Sequence, residues 1–126
     1  MKTHHLVALL ASLAAFSLSA QAVTVKEDAP GLLKQAKVSS QAATATALAR
    51  VPGGKVTAAE IEKEDGKLIY SFDISTAGKS GIDEVHVDAL SGKVLRVVHE
   101  TPADEAKEAK ADKAKAAAPK PKKPGV

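Results

Sequence analysis

Residues Glu64–Ile74 read EDGKLIYSFDI, and this stretch decides the fold. Asp65-Gly66 is a dipeptide favoured in two-residue hairpin turns, where the backbone needs positive φ at both positions. Beyond the turn, apolar residues recur at every second position, which is the period of a strand with one buried face. The stretch therefore predicts a β-hairpin whose second strand is Lys67–Ile74. The residues predicted on its buried face are Leu68, Tyr70, Phe72 and Ile74.

The first strand of the hairpin, Val56–Glu64, changes its alternation partway along. Ala59 and Ile61 fit one buried face, whereas Val56 and Ala58 are out of phase with them. An extra residue in one strand produces such a shift, so we predict a bulge or a kink near Ala58–Ala59. Glu60, Glu62 and Glu64 alternate with the buried residues. Acidic residues in this pattern are typical of a solvent-exposed strand face, and they could also bind a basic partner.

Two extended segments follow the hairpin. Ile82–Asp88 alternates in the same way as the hairpin strands, and Val94–Val98 is short, so that its pairing partner stays open. Turn-forming residues lie between the two segments, which favours antiparallel pairing. The residues predicted to face the core are Val85 and Val87 in the first segment and Leu95 and Val97 in the second.

A helix is predicted upstream of the hairpin, over Gln41–Arg50, where nearly every residue tolerates helix. Ser39 or Ser40 can cap its beginning, and Val51–Gly54, which reads VPGG, ends it. An antiparallel sheet with one solvent-exposed face must pack its apolar face against another element, and this alanine-rich helix is the candidate. The predicted fold class is α+β, with the helix packed on a three- to four-stranded antiparallel sheet. The helix face expected to meet the sheet consists of Ala42, Ala45, Leu48 and Ala49.

The first 22 residues have the features of a secretory signal peptide. Lys2 makes the start basic, Leu6–Leu18 is almost wholly apolar, and Ala20-Gln21-Ala22 is a site of the A-x-A type. The apolar run is shorter than the about 20 residues that a membrane span needs. We expect cleavage before Val23, a periplasmic or secreted protein, and no transmembrane segment in the mature chain; an uncleaved N-terminal anchor is the alternative.

The net charge of +3 belongs mainly to the C-terminal tail. Val23–Val98 carries ten basic and ten acidic residues, whereas His99–Val126 carries seven lysines and five acids. A neutral domain has no basic face for nucleic acid, so no nucleic-acid partner is expected. Ala103–Ala118 favours helix but offers no large apolar side chain to bury, which predicts a fraying helix that leads into a disordered end. This tail is either a spacer or a basic segment for anionic polymer or lipid surfaces.

The sequence predicts neither an enzyme nor a cofactor. It has no cysteine, and its serines lie in turns and caps without a neighbouring base. His86 lies two residues from both Glu84 and Asp88, and alternate residues of a strand share a face, so the three are a weak candidate for a metal site. The same pattern is typical of a solvated strand face, and we therefore predict no metal.

The order of these motifs resembles the PepSY domain family over Val38–Val98. The resemblance rests on the alanine-rich helix, on VPGGKV and EIEKEDGKLIY, and above all on VDALSGKVL at Val87–Leu95. It implies a helix on an antiparallel sheet and a protein-binding module that inhibits or regulates a peptidase, here in trans. The expected partner is a protein, either a peptidase or an envelope protein. It carries over no catalytic or binding residues. The motif residues read as structural: Gly66 and Gly92 serve turns, and Asp88 accepts backbone N–H groups.

The chain is thus predicted to comprise four segments. They are a signal peptide at residues 1–22, a lead-in at 23–37 with a helical turn near Leu32–Ala36, the PepSY-like domain at 38–98 and an Ala/Lys/Pro-rich tail at 99–126.

Overall fold

The computed structural model describes residues 22–117, so the predicted signal-peptide core and the basic end of the tail lie outside the described residues. Within this range the chain forms five strands and three helices. In chain order they are β1 (Lys26–Glu27), α1 (Leu32–Gln35), α2 (Ser40–Arg50), β2 (Gly54–Glu64), β3 (Lys67–Thr76), β4 (Ile82–Asp88), β5 (Val94–Glu100) and α3 (Pro102–Ala117).

The strands form one sheet in the order β1-β2-β3-β4-β5. The pairs β2–β3, β3–β4 and β4–β5 are antiparallel, whereas β1 pairs in parallel with β2, with Lys26 opposite Glu60. The predicted α+β class, with α2 on an antiparallel sheet, is confirmed. The additional strand β1 comes from the lead-in, where two residues are too few to produce a recognisable alternation.

The predicted hairpin is confirmed in its turn and in its bulge. Asp65 and Gly66 have φ of 48° and 77°, the positive pair that a two-residue turn of this kind requires. Glu64 pairs with Lys67 across the turn, and the register shifts between Val56 and Ala58, next to the predicted position.

The core lies between the sheet and α2. The predicted face of β3 is buried along its whole length, and the adjoining strands contribute the inward residues of their own alternation. Tyr70 and Phe72 stack with their ring centroids 6.1 Å apart. The core residues of the sheet are Ala59, Ile61, Leu68, Tyr70, Phe72, Ile74, Val85 and Val87.

The predicted contact face of α2 is wrong. Ala43, Thr44 and Ala47 are buried, Leu48 packs beside them, and the other three predicted residues are exposed. A helix made mostly of alanine and threonine has no wide apolar stripe, so the sequence does not specify its rotation about its axis. The serine cap is confirmed: the Ser39 side chain accepts a hydrogen bond of 3.1 Å from the Ala42 N–H.

The prediction that Leu95 and Val97 face the core is also wrong, because they are 41% and 40% exposed. A register shift at β4 brings Val94 opposite Val87, and Val94 packs against the core instead. Val97 pairs with Val85, but β5 is the last strand of the sheet, and α2 lies mainly against β3 and β4.

Helix α3 begins with a capping arrangement and returns over the sheet. The Thr101 hydroxyl donates a hydrogen bond of 2.7 Å to Asp104 Oδ2, which also accepts from the Thr101 N–H at 3.2 Å. The predicted partly helical tail is therefore present to Ala117, and its predicted disordered end lies outside the described residues. α3 lies across the sheet face opposite α2, which the sequence left open to solvent.

Candidate functional site

A groove of about 710 Å³ lies between α3 and the second face of the sheet. Its floor consists of the polar residues that alternate with the core residues of β2, β3 and β4. The acids that line it from the sheet are Glu60, Glu62, Glu64, Asp73, Glu84 and Glu100. The acids that line it from α3 are Glu105, Glu108 and Asp112, and the basic residues are Lys63, His86 and Arg96.

Glu84 and His86 form the charged centre of the floor. His86 Nε2 contacts Glu84 Oε1, His86 Nδ1 lies 3.4 Å from Glu64 Oε2, and Arg96 Nη1 lies 3.4 Å from Glu84 Oε1. The hydrogen bond with His86 lowers the pKa of Glu84 to about 2, and the same bond raises the pKa of His86. An ionised Glu84 beside a charged His86 is therefore favoured.

The prediction that these two residues lie on a solvated face is wrong. Glu84 is 9% exposed and His86 is 6% exposed. Neighbouring strands and α3 surround them, and no motif in the sequence indicates that the tail returns over this face.

Glu100, at the end of β5, adds a second buried carboxyl group that is 6% exposed. Its hydrogen bond to the Glu84 carboxylate, its burial and the charges of Glu84 and Glu108 raise the pKa of Glu100 to about 7. Burial is also the main cause of the raised pKa of Glu62 and of Asp73. Glu100 therefore keeps its proton to a higher pH than an isolated carboxyl group does.

The weak metal candidate Glu84, His86 and Asp88 does not converge on one point. Asp88 Oδ1 accepts hydrogen bonds from the backbone N–H groups of Leu90 and Ser91, both of 2.8 Å, and these bonds lower the pKa of Asp88. Asp88 thus belongs to the turn, where the Gly92 N–H also donates to the Asp88 carbonyl oxygen.

Among residues 22–117, the ligand-type atoms that do converge are carboxylate oxygens of Glu84, Glu100 and Glu108, within 4.8 Å of one another. Sequence reasoning missed this cluster, because Glu100 and Glu108 lie beyond the predicted domain and no short-range motif connects them with β4. Acidic clusters are common without an ion, and we assign no metal to this one.

A second surface is the outer edge of the sheet at β5. Leu95 and Val97 expose about two fifths of their surface there, whereas Leu90, which exposes half, lies in the preceding turn and outside this strand. An edge strand has backbone groups available for pairing with another extended segment.

These features define an α+β domain with a helix on one face of its sheet, a charged groove on the other face and an apolar strand edge. None of the helices within residues 22–117 combines the length and apolarity needed to cross a membrane. Residues 37–98 match the PepSY family model, described as the peptidase propeptide and YPEB domain. Residues 37–98 therefore form a PepSY-family domain. No curated protein and no solved structure matches it.

Proposed function

We propose that the chain is a non-catalytic, exported binding module that regulates a peptidase in trans. The observation that carries this proposal is the PepSY domain at residues 37–98, since the family takes its description from peptidase propeptides. Such domains act by binding a protein, and export rests on the predicted signal peptide of residues 1–22.

The β5 edge is the surface best suited to that binding. A partner segment in extended conformation would add a strand to β5 through main-chain hydrogen bonds, while pockets on the partner take alternate side chains. Leu95 and Val97 would lose their remaining exposure, and burying that much of each side chain contributes roughly 1 kcal/mol. The contacts of the Leu95 and Val97 side chains would supply specificity, and the main-chain hydrogen bonds of β5 would supply affinity.

The test uses the mature protein, from Val23 onward, in assays of peptidases from the envelope and culture medium of the producing cell. We expect one peptidase both to be retained on the immobilised protein and to be slowed at micromolar concentration. Leu95→Lys should weaken inhibition at least about tenfold, because a charged side chain would enter the contact. Leu90→Lys makes the same chemical change outside the strand and serves as the matched control.

Circular dichroism must show that both variants are folded. The proposal is wrong if no peptidase is retained or slowed. If a peptidase is inhibited and both variants inhibit it as well as the parent protein does, the regulatory function stands and only the assignment of the binding surface to β5 is wrong.

A second candidate function rests on the charge of the tail, whose last nine residues carry three lysines and no acid. We propose that Ala118–Val126 binds anionic polymer or lipid headgroups. Binding to vesicles with an anionic lipid should then fall with added salt and disappear on deletion of Ala118–Val126. Unchanged binding of the deletion variant would contradict this second function.

A further inference from the structure

We propose that α3 is a pH-controlled strap, which covers the carboxylate face of the sheet at acidic pH and leaves it as the groove ionises. This inference is independent of which partner the domain binds, because it concerns a contact within the chain itself.

The geometry of the groove brings like charges together across the contact between α3 and the sheet. Glu108 of α3 approaches Glu84 of β4 and Glu100 of β5, and the carboxylate oxygens of all three lie within 4.8 Å of one another. Like charges at such a separation repel strongly unless one of the groups holds a proton. The contact is therefore compatible with a protonated cluster and is opposed by a fully ionised one.

The groups that face Glu100 come from every element around the groove. They are Glu84 and His86 from β4, Arg96 from β5, Asp73 from β3, and Glu105 and Glu108 from α3. From β2 the groove receives Glu60, Glu62 and Glu64 together with Lys63, and Asp112 closes it from α3. Acids outnumber basic groups on this surface. Arg96 and His86 both lie beside Glu84, so neither is paired with a carboxylate of α3.

Apolar packing does not hold α3 in place against this repulsion. Apart from Pro102 at its start, the apolar residues of the helix are all alanines, and those that line the groove are Ala109 and Ala111. Most side chains of α3 are exposed. Because methyl groups bury little surface, the charge state of the groove decides whether the helix stays docked.

The protonation equilibria give the direction of the effect. In the docked arrangement the pKa of Glu100 is raised to about 7, in part by the charge of Glu108, and the charges of Glu105 and Glu108 contribute to the raised pKa of Asp73. Undocking removes these α3 charges, so the undocked state binds protons less tightly. This contribution to docking is fully present below the pKa of an ordinary carboxyl group. It is lost as pH rises through about 7, the pKa of Glu100 in the docked state.

The raised pKa of His86 comes from Glu84 and Glu64, which both lie on the sheet, so docking of α3 is not what raises it. Glu84 titrates near pH 2 and is already ionised throughout the neutral range.

The experiment measures the position of α3 directly in the full mature chain. The protein has no cysteine, so Lys67→Cys and Lys113→Cys, both at exposed positions, provide one label on the sheet and one on α3. Spin-label distances are recorded at pH 5 and pH 8.5 in buffers with a chelator, which removes divalent cations that could bind the carboxylate cluster. We expect one narrow distance at pH 5 and a broad, longer distribution at pH 8.5.

Two variants test the assignment to the cluster. Glu100→Gln should keep the narrow distance at both pH values, and Glu108→Gln, at an exposed position of α3, should reduce the difference between them. Asp65→Asn removes an acid from the hairpin turn outside the groove and should leave the response unchanged. Identical distances at pH 5 and 8.5 in the parent chain would overturn the proposal.

A full response in Glu108→Gln would also overturn the proposal. That variant decides the question even if Glu100→Gln fails to fold.

Discussion

The hydroxyl of Tyr70 donates a hydrogen bond of 2.8 Å to the carbonyl oxygen of Val38. The bond joins the buried centre of β3 to the segment that leads into α2. The N–H groups of Lys37 and Val38 in turn donate to the carbonyl oxygen of Ala89, at 2.9 and 3.0 Å. The start of the domain is thus tied both to its central strand and to its closing turn, which gives a physical reason why the family match begins at residue 37.

Tyr70→Phe should therefore destabilise the domain. The ring stays in the core, but the Val38 carbonyl loses a partner at a partly buried site, which costs about 1–2 kcal/mol of the free energy of unfolding. Urea denaturation followed by circular dichroism measures the loss. Thr57→Val is the matched control, because it removes a hydroxyl from an exposed hydrogen bond and should cost less than about 0.5 kcal/mol. Equal losses in the two variants would contradict the role given to Tyr70.

Gly78 and Gly81 provide a second comparison within one loop. Both have positive φ, of 79° and 80°, so alanine is strained at either position by about 1 kcal/mol. A Cβ at Gly78 would meet nothing within 4 Å, whereas a Cβ at Gly81 would overlap the carbonyl oxygen of Glu100. Gly81→Ala should cost about 1–3 kcal/mol more than Gly78→Ala. Thermal unfolding of the two variants tests this, and similar melting temperatures would show that the loop yields to the added methyl group.

The parts of the fold that could be predicted are those in which the signal is local. Asp65-Gly66 specifies its own backbone conformation, and the alternation from Leu68 to Ile74 specifies which face of β3 is buried. Neither depends on what the rest of the chain does.

The rotation of α2 and the groove could not be predicted, because both depend on contacts between distant segments. Alanines lie on all sides of α2, so its own sequence does not specify which face contacts the sheet. Packing against β3 and β4 determines that face, which contains Ala43 and Ala47. Alternation places Glu84 and His86 opposite the core, but it does not reveal that α3 covers them. Glu100 acquires its raised pKa from Glu84, sixteen positions earlier in the chain, and from Glu108, and no motif connects the three.

The turn at Asp88 gives a prediction with a pH dependence. Its carboxylate accepts two backbone N–H groups, which lowers its pKa, and a lowered carboxyl pKa contributes stability above the ordinary pKa that is lost as pH falls through the folded value. Asp88→Ala should cost about 1 kcal/mol at pH 7. Asp88→Asn keeps an oxygen acceptor but cannot ionise, so its stability relative to the parent should improve between pH 5 and pH 2. Urea denaturation across that range checks this, and a difference that stays constant would contradict it.

The packing of α2 gives the most direct test of the fold, because the two possible contact faces make opposite predictions. Ala47 is fully buried against the sheet, whereas Ala45, on the face that the sequence favoured, is exposed. Ala47→Leu would force three additional carbons into a filled space and should cost about 1–3 kcal/mol. Ala45→Leu makes the same change in water and should alter the free energy of unfolding by less than about 0.5 kcal/mol, since leucine and alanine are both good helix formers. Measured side by side by urea denaturation, the reverse order of the two losses would mean that α2 is rotated about its axis relative to the arrangement described above.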